Sequence, residues 1–424
     1  MLGKKSIRTV RLVLRFGLAG LLAFSFSPAT AADMDFTAYK NPQYGIVGWG
    51  GWIFHPSVIL GAVYDDNVYR SATNQVHQWG TRVIPSFTAE LNEGIYRTNL
   101  YGTVDGRFYS REKSADAVDA KAGIQHIYEP TRDLTFRFSG DYIRQADPFT
   151  AGVVALNGVP VITNNSVNVV AGTASVQKDI GRGFVVLGET VTQTNYDASF
   201  QHPRNGTIYA TTVRTGVWAT PYINLFADGT YDWRRYAADI FDSQGYRVVG
   251  GLGSGQIGLL KGEIYGGYQA EHYDHNDLFG LSFGDVSSSV YGAKLSYFPT
   301  RYLTLKALVD RIISVSSVPT AGTFFGLVPG SSLGTPMLVT HTVFEAEWGL
   351  WRQVSLSGRF GYDHATYVLS PRVDDAWLAG ARINYEIWRS LGLSFDYQYT
   401  KLDSNVPLNS YRRNMFLVGA LYRY

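Results

Sequence analysis

Along most of the chain, apolar and polar residues alternate one for one. Leu134, Phe136, Phe138, Gly140 and Tyr142 interleave with Thr135, Arg137, Ser139 and Asp141, and a period of two places the two sets on opposite faces of a β-strand. The same split sets Trp377, Ala379, Ala381, Ile383, Tyr385 and Ile387 against Arg382, Asn384 and Glu386. It also sets Leu391, Leu393, Phe395, Tyr397 and Tyr399 against Ser394, Asp396, Gln398 and Thr400. Helical spacing is not seen. Thr304 to Ser314 and Val354 to Thr366 run without a turn signal for about the 9–11 residues that a tilted membrane strand needs.

The turns between these runs recur. Glu129-Pro130-Thr131-Arg132-Asp133-Leu134-Thr135 is matched by Phe298-Pro299-Thr300-Arg301-Tyr302-Leu303-Thr304. Gly181-Arg182-Gly183, Thr220-Pro221, Leu260-Lys261-Gly262, Trp351-Arg352 and Trp388-Arg389-Ser390 hold equivalent places, at intervals of roughly 40 residues. A propeller blade of that period would need four short strands, whereas each repeat here holds two long ones. Insertions at Asp147 to Thr163 and Ser316 to Pro336 lengthen connections at the opposite end. Short turns at one end and longer loops at the other are the asymmetry of outer-membrane barrels, with the short turns facing the periplasm. The pattern predicts an all-β fold, a transmembrane antiparallel up-and-down β-barrel over residues 56–424 with about eighteen strands, sixteen being the other even count.

Composition agrees. Hydrophobic residues make up 45% and charged ones 17%, yet beyond the N-terminus no apolar run approaches the roughly 20 residues of a membrane-spanning helix. Aromatics reach 14% and glycine numbers 45, a mixture suited to strands and tight turns. The chain has no cysteine, which excludes disulfides and thiolate metal sites. A net charge of +2 gives no support to nucleic-acid binding.

Residues 1–32 read as a secretory signal. Lys4, Lys5, Arg8, Arg11 and Arg15 precede a short apolar stretch, Leu18 to Phe26, and Ala29-Thr30-Ala31 offers cleavage after Ala31 or Ala32. Residues 33–55 would then be a periplasmic segment leading into the first strand. At the other end Phe416, Val418, Ala420, Tyr422 and Tyr424 alternate to a terminal aromatic, as expected of a last barrel strand; Phe416, Val418, Tyr422 and Tyr424 form the candidate assembly signal. The expected partners are outer-membrane lipid, periplasmic chaperones and the barrel-assembly machinery.

Pro56-Ser57-Val58 entering the first strand, Tyr64-Asp65-Asp66-Asn67-Val68-Tyr69-Arg70 at its outer end, and the alternating strands down to Tyr424 resemble the type 2 family of outer-membrane β-barrel porins. The resemblance covers almost all of the mature chain; Tyr64, Asp65, Asp66, Asn67 and Val68 are its one moderately specific motif. It implies the location and architecture well and the transported substrate poorly. Members often accompany exopolysaccharide synthesis and export systems, so polysaccharide export components join the expected partners.

Motifs that could carry chemistry are weak. Clustered oxygens at Tyr64-Asp65-Asp66-Asn67 could hold Ca²⁺, but the EF-hand spacing is missing, and short side chains satisfying backbone at a strand end explain them better. His272, His275 and Asp277 lack a helical HExxH or cysteine partner and read as a loop rim. Gly253-Ser254-Gly255-Gln256-Ile257-Gly258 fits a dinucleotide pattern by letters, but with no helix behind it to meet a pyrophosphate. No cofactor or metal is expected. No nucleophile–base set can be argued, so an enzyme is not expected; an outer-membrane hydrolase built from separate strands is the minor alternative.

The polar faces, assigned to the lumen, put Arg97, Asp105, Arg107, Arg137, Asp141, Arg214, Asp228, Asp232, Arg234, Glu263 and Glu271 inside. Lys306, Asp310, Glu345, Glu347, Arg359, Asp363, Arg382, Glu386 and Asp396 go with them, as do Glu189 and Lys294. Both signs together argue against a simple anion or cation filter. Inward Tyr101, Tyr109, Tyr265 and Tyr273 would fill space in preference to stacking on sugars. The resulting expectation is a passive pore or conduit assisting polysaccharide export, against a non-transporting surface barrel that acts as scaffold or binding protein.

Overall fold

The computed structural model describes residues 46–146, 166–197, 199, 202, 205–239, 242–274, 284–315, 336–368, 371–406 and 410–424. The signal-peptide reading, the insertion at Asp147 to Thr163 and all of Ser316 to Pro336 but its last residue lie outside them. A two-residue strand, β1 (Ile46–Val47), folds back on the start of β2 (Ile53–Asp65), which begins three positions earlier than Pro56. There follow β3 (Gln78–Asn92), β4 (Tyr96–Tyr109), β5 (Ala117–Thr131), β6 (Leu134–Ala146), β7 (Ser166–Ile180), β8 (Gly183–Tyr196) and β9 (Gly206–Trp218). The wall continues through β10 (Ile223–Tyr236), β11 (Ser243–Ser254), β12 (Leu260–Tyr273), β13 (Asp285–Thr300), β14 (Leu303–Val315) and β15 (Pro336–Trp351). Last come β16 (Val354–Tyr367), β17 (Val373–Glu386), β18 (Leu391–Ser404) and β19 (Tyr411–Arg423).

Each of β2 to β19 pairs antiparallel with the next, and β19 pairs back onto β2 from Met415↔Asp65 to Arg423↔Ser57. The result is a closed eighteen-strand barrel with no free first or last strand. Closure is what a sheet in lipid requires, because an open margin would leave backbone N–H and C=O groups in hydrocarbon. No helix among the described residues is long and apolar enough to cross a membrane.

Turn chemistry follows the sequence. Gly181 adopts φ +60° at the first position of a two-residue turn between β7 and β8, a place a Cβ would disfavour. Leu260-Lys261-Gly262 is not the turn its repeat position suggested: the chain reverses at 255–259 and these residues open β12. The dinucleotide-like Gly253 to Gly258 stretch is the end of β11 and that turn, with no helix following. Pro85 interrupts one ladder. Pairing of β3 with β4 stops at Val83↔Gly106 and resumes at Ser86↔Thr103, since proline brings no N–H to the sheet.

The two faces differ as alternation demands. Leu60, Leu187, Leu225, Ile264, Phe344, Ile383, Phe395, Phe416 and Val418 are exposed on the outer face. Aromatics ring it at two levels: Tyr96, Tyr222, Tyr297, Tyr302, Trp351, Trp388, Tyr422 and Tyr424 near the short turns, and Tyr209, Tyr231, Tyr246, Tyr268, Tyr291 and Trp377 higher on the strands. Two such girdles flanking an apolar band are the mark of a barrel in a bilayer. Phe416, Val418, Tyr422 and Tyr424 all belong to this exposed set.

Glu189 departs from the expectation. It pairs with Ala174 and Thr211 on the outer face, midway along β8, and Thr211 Oγ1 donates to its carboxylate at 2.7 Å. Both faces of β8 carry polar residues: Thr190, Thr192 and Thr194 are buried on the inner one, and they claim the lumen. A carboxylate in the hydrocarbon band costs free energy, though less than the about 2–4 kcal/mol of a basic residue at the midplane. Replacing Glu189 by leucine should therefore raise unfolding free energy in phospholipid vesicles by about 1–2 kcal/mol. A urea titration giving an unchanged or lowered midpoint for the variant refutes this.

Candidate functional site: the barrel interior

Because residues paired across a ladder share a face, the inner set can be followed strand by strand. All twenty lumen candidates of the polar-face assignment lie on it, and so does Lys294. They are not scattered charges. Arg214 on β9 reaches Glu263 on β12 at 2.9 Å and Asp228 on β10 at 4.0 Å, and its guanidinium lies 3.7 Å from the Phe226 ring. Arg234 binds Asp232 and Glu271, both at 2.6 Å, with Gln269 donating to Glu271 at 3.1 Å. Arg382 and Asp396 pair at 2.6 Å, Arg97 and Glu129 at 2.8 Å, and Lys306 and Glu347 at 3.1 Å. Arg359 meets Glu345 at 3.5 Å, Glu386 accepts from Arg423 at 3.0 Å, Arg137 donates to Gln177 at 3.0 Å, and Asp363 pairs with His341. Such pairs, some between neighbouring strands and others reaching across one or two intervening strands, stiffen the wall and cancel much of each other's field.

The tyrosines fill space. Tyr109, Tyr265 and Tyr273 are buried, while Tyr101 hydrogen-bonds Asp141 and carries Lys121 over its ring. Tyr265 donates to Asp310 at 2.8 Å. Several interior residues escaped the alternation reading. Arg82 forms a fork with Asp105, Nε at 2.8 Å and Nη2 at 2.6 Å, and Asp119 engages Arg107. Arg247 lies 3.9 Å from Asp310. Arg82 sits three residues before Pro85, which interrupts the ladder to β4 and makes a period of two look unreliable there; Arg247 is the one charge on a glycine-rich strand.

The motif residues 64–68 turn out to hold the closing seam. Asp65 is fully buried and accepts from Arg413 Nε at 3.0 and 3.1 Å, from the Tyr109 hydroxyl at 2.7 Å and from the Asn67 backbone N–H at 3.1 Å. Asp66 takes the backbone N–H and the side-chain amide of Asn414, each at 2.6 Å. Asn67 donates to the Ser71 and Arg412 carbonyls, both at 2.9 Å, and accepts from the Ser71 N–H at 2.9 Å. Tyr64 stays on the outer face beside Trp79, with ring centroids 5.0 Å apart. Every carboxylate oxygen here is committed to an arginine, an amide or a hydroxyl, so the strand-end role describes the motif better than a Ca²⁺ site. Among the described residues no group of three His, Cys, Asp or Glu is placed to hold a metal. His272 pairs with Asp285, and His275 and Asp277 lie outside the described residues.

One side of the interior is apolar. Ile59, Val63, Ile84, Tyr109, Met415, Leu417 and Leu421 form a buried cluster on which Val68, Tyr69 and Ala115 of the outer loops pack. Tyr69 donates to Glu112 at 2.8 Å, tying two of these loops together. A second buried apolar cluster, Phe184, Phe226, Val249, Tyr265 and Val290, lies elsewhere on the inner face, and among the polar atoms between them some have no hydrogen-bond partner in the protein: Arg247 Nε, Arg214 Nε, Glu263 Oε1 and Ser394 Oγ. Desolvated, such groups cost several kcal/mol, so water or a hydrogen-bonding solute must meet them.

Comparison with solved structures returns matches of low identity. OpdL of Pseudomonas aeruginosa shares 11% identity over 88% of this chain and 99% of its own, with a TM-score of 0.40. The outer membrane protein OpdK of the same organism shares 8% over 88% and 99%, with a TM-score of 0.40. A mutant of its ferric enterobactin receptor PfeA shares 9% over 87% and 80%, with a TM-score of 0.38. These overlays are loose, and the barrel is defined by its own ladders. No curated protein matches the chain significantly. The family model described as Putative beta-barrel porin 2 matches residues 41–424, from before the first strand to the last residue, and the chain belongs to that family of outer-membrane barrels.

Proposed function

We propose that the barrel is a passive conduit for hydrophilic solutes of low net charge, and not an enzyme. The observation that carries this reading is the interior chemistry: Arg214, Arg234 and Arg382 are matched by carboxylates one or more strands away in the wall, while buried donors and acceptors such as Arg247 Nε and Glu263 Oε1 have no hydrogen-bond partner in the protein. A wall of paired charges with spare hydrogen-bonding groups suits neutral, hydroxyl-rich molecules better than ions of one sign. Extracellular polysaccharide is such a cargo, and the family resemblance supports it. Eighteen strands also give a barrel wide enough for an aqueous channel.

Purified protein in planar bilayers should give discrete conductance steps with near-equal passage of K⁺ and Cl⁻, and Arg247→Glu should move the reversal potential toward cation preference. Silent membranes would overturn the conduit. They would favour the second reading, a non-transporting surface barrel, which has its own support in the apolar wall cluster of β2, β3, β4 and β19 on which Val68, Tyr69 and Ala115 of the outer loops pack.

A further inference from the structure

The ladder between β13 and β14 is incomplete. It runs from Thr300↔Leu303 at the short turn to Tyr291↔Arg311 and stops there. Its neighbours continue, β12–β13 to His272↔Asp285 and β14–β15 to Val315↔Pro336. In place of β13, the side chain of Gln269 from β12 holds the upper part of β14: its amide donates to the Ile313 carbonyl at 3.3 Å and accepts from the Ile313 N–H at 3.1 Å. Ile313 is buried against Tyr273 and Val286, both on the inner face. The tip of β14 therefore tucks behind β13, leaving the upper margin of β13 without a strand partner among the described residues.

Arg311 stands at the foot of this split, on the outer face. It lies in one cross-strand row with Tyr291 and Thr340, at the height of the upper aromatic girdle. Its guanidinium rests 5.7 Å from the Tyr291 ring centroid, and its Nε is buried without a hydrogen-bond partner. Just above, Ser287 and Ser289 expose hydroxyls on the same face of β13, and the carboxylate of that margin, Asp285, is taken by His272. The result is a guanidinium and two hydroxyls beside a strand margin that no ladder covers among the described residues, with the nearby Asp285 carboxylate engaged by His272, at the level where lipid headgroups meet the barrel.

We propose that this split seam binds the phosphate of an anionic membrane lipid, with Arg311 as its cation and the acyl chains lying against Leu305, Val309 and Phe344 below. Arginine matches phosphate oxygens with two parallel N–H donors, and the site faces the bilayer and not the lumen, which selects a lipid over a free anion.

Native mass spectrometry of the full-length barrel from micelles doped with phosphatidylglycerol or phosphatidylcholine tests this. The wild-type protein should retain one phosphatidylglycerol about tenfold more strongly than phosphatidylcholine, and Arg311→Gln should abolish the difference. Inorganic phosphate at millimolar concentration should not displace the lipid. Equal retention of the two lipids by wild-type protein overturns the site with no variant needed. Undiminished preference in Arg311→Gln removes the arginine from it, and displacement by inorganic phosphate overturns lipid as the source.

Discussion

Replacing Asp65 by alanine should destabilise the barrel by about 3–5 kcal/mol, the cost of leaving a buried partner charge uncompensated. Asp65 is fully buried, and Arg413 beside it is nearly so. Removing the carboxylate strips Arg413 of its anion and Tyr109 of its acceptor at once. The loss falls on the β19–β2 ladder, which has fewer paired residues than its neighbours and joins the chain's first and last barrel strands. The pair is expected to matter for what its breakage leaves behind more than for its intrinsic strength. Asp65→Leu combined with Arg413→Met should therefore recover most of the stability lost by Asp65→Ala alone. Urea unfolding in phospholipid vesicles measures both. An Asp65→Ala barrel with the wild-type midpoint would show that the seam does not depend on this pair.

Gly61→Ala should harm the same seam by steric means. Gly61 pairs with Gly419 across the closing ladder, and a Cβ on Gly61 would lie 2.6 Å from the Gly419 Cα and nearer still to the Val418 carbonyl oxygen. Those are backbone atoms of the partner strand. They cannot rotate away as a flexible side chain would, so the strands must separate. Overpacking of this kind costs about 1–3 kcal/mol, and Gly61→Val should cost more. Heat-modifiable migration in SDS gels reports closure directly. The alanine variant should lose its compact band at a lower temperature than wild type, and coincident melting would mean that the seam has slack.

The architecture was legible because most strands treat their two faces differently. On β17 and β18 one face is Trp, Ile, Tyr and Phe and the other Arg, Asn, Asp and Gln, so the phase is fixed by chemistry. Where both faces are alike the phase is lost. On β8 threonines fill the inner face while Glu189 and Gln193 stand on the outer one, and a rule that sends polar residues inward misplaces the glutamate. On β2 and β19 the inner Ile59, Val63, Leu417 and Leu421 are as apolar as the outer Leu60, Val418 and Tyr422. Partnership was less visible than placement. Asp65 and Arg413 are separated by almost the whole chain, and no local spacing announces their contact. The role of the 64–68 motif emerged only once the strands that neighbour it in space were known.

The contact between Asp65 and Arg413 spans 348 positions, and that separation dictates how production of this protein can fail. A ribosome that stops anywhere before Tyr411 does not yield a narrower pore; it yields an unfinished ribbon with two adhesive margins, prone to join other ribbons. Truncation within the wall therefore removes closure as a whole, since a chain without β19 has lost the strand that pairs with β2.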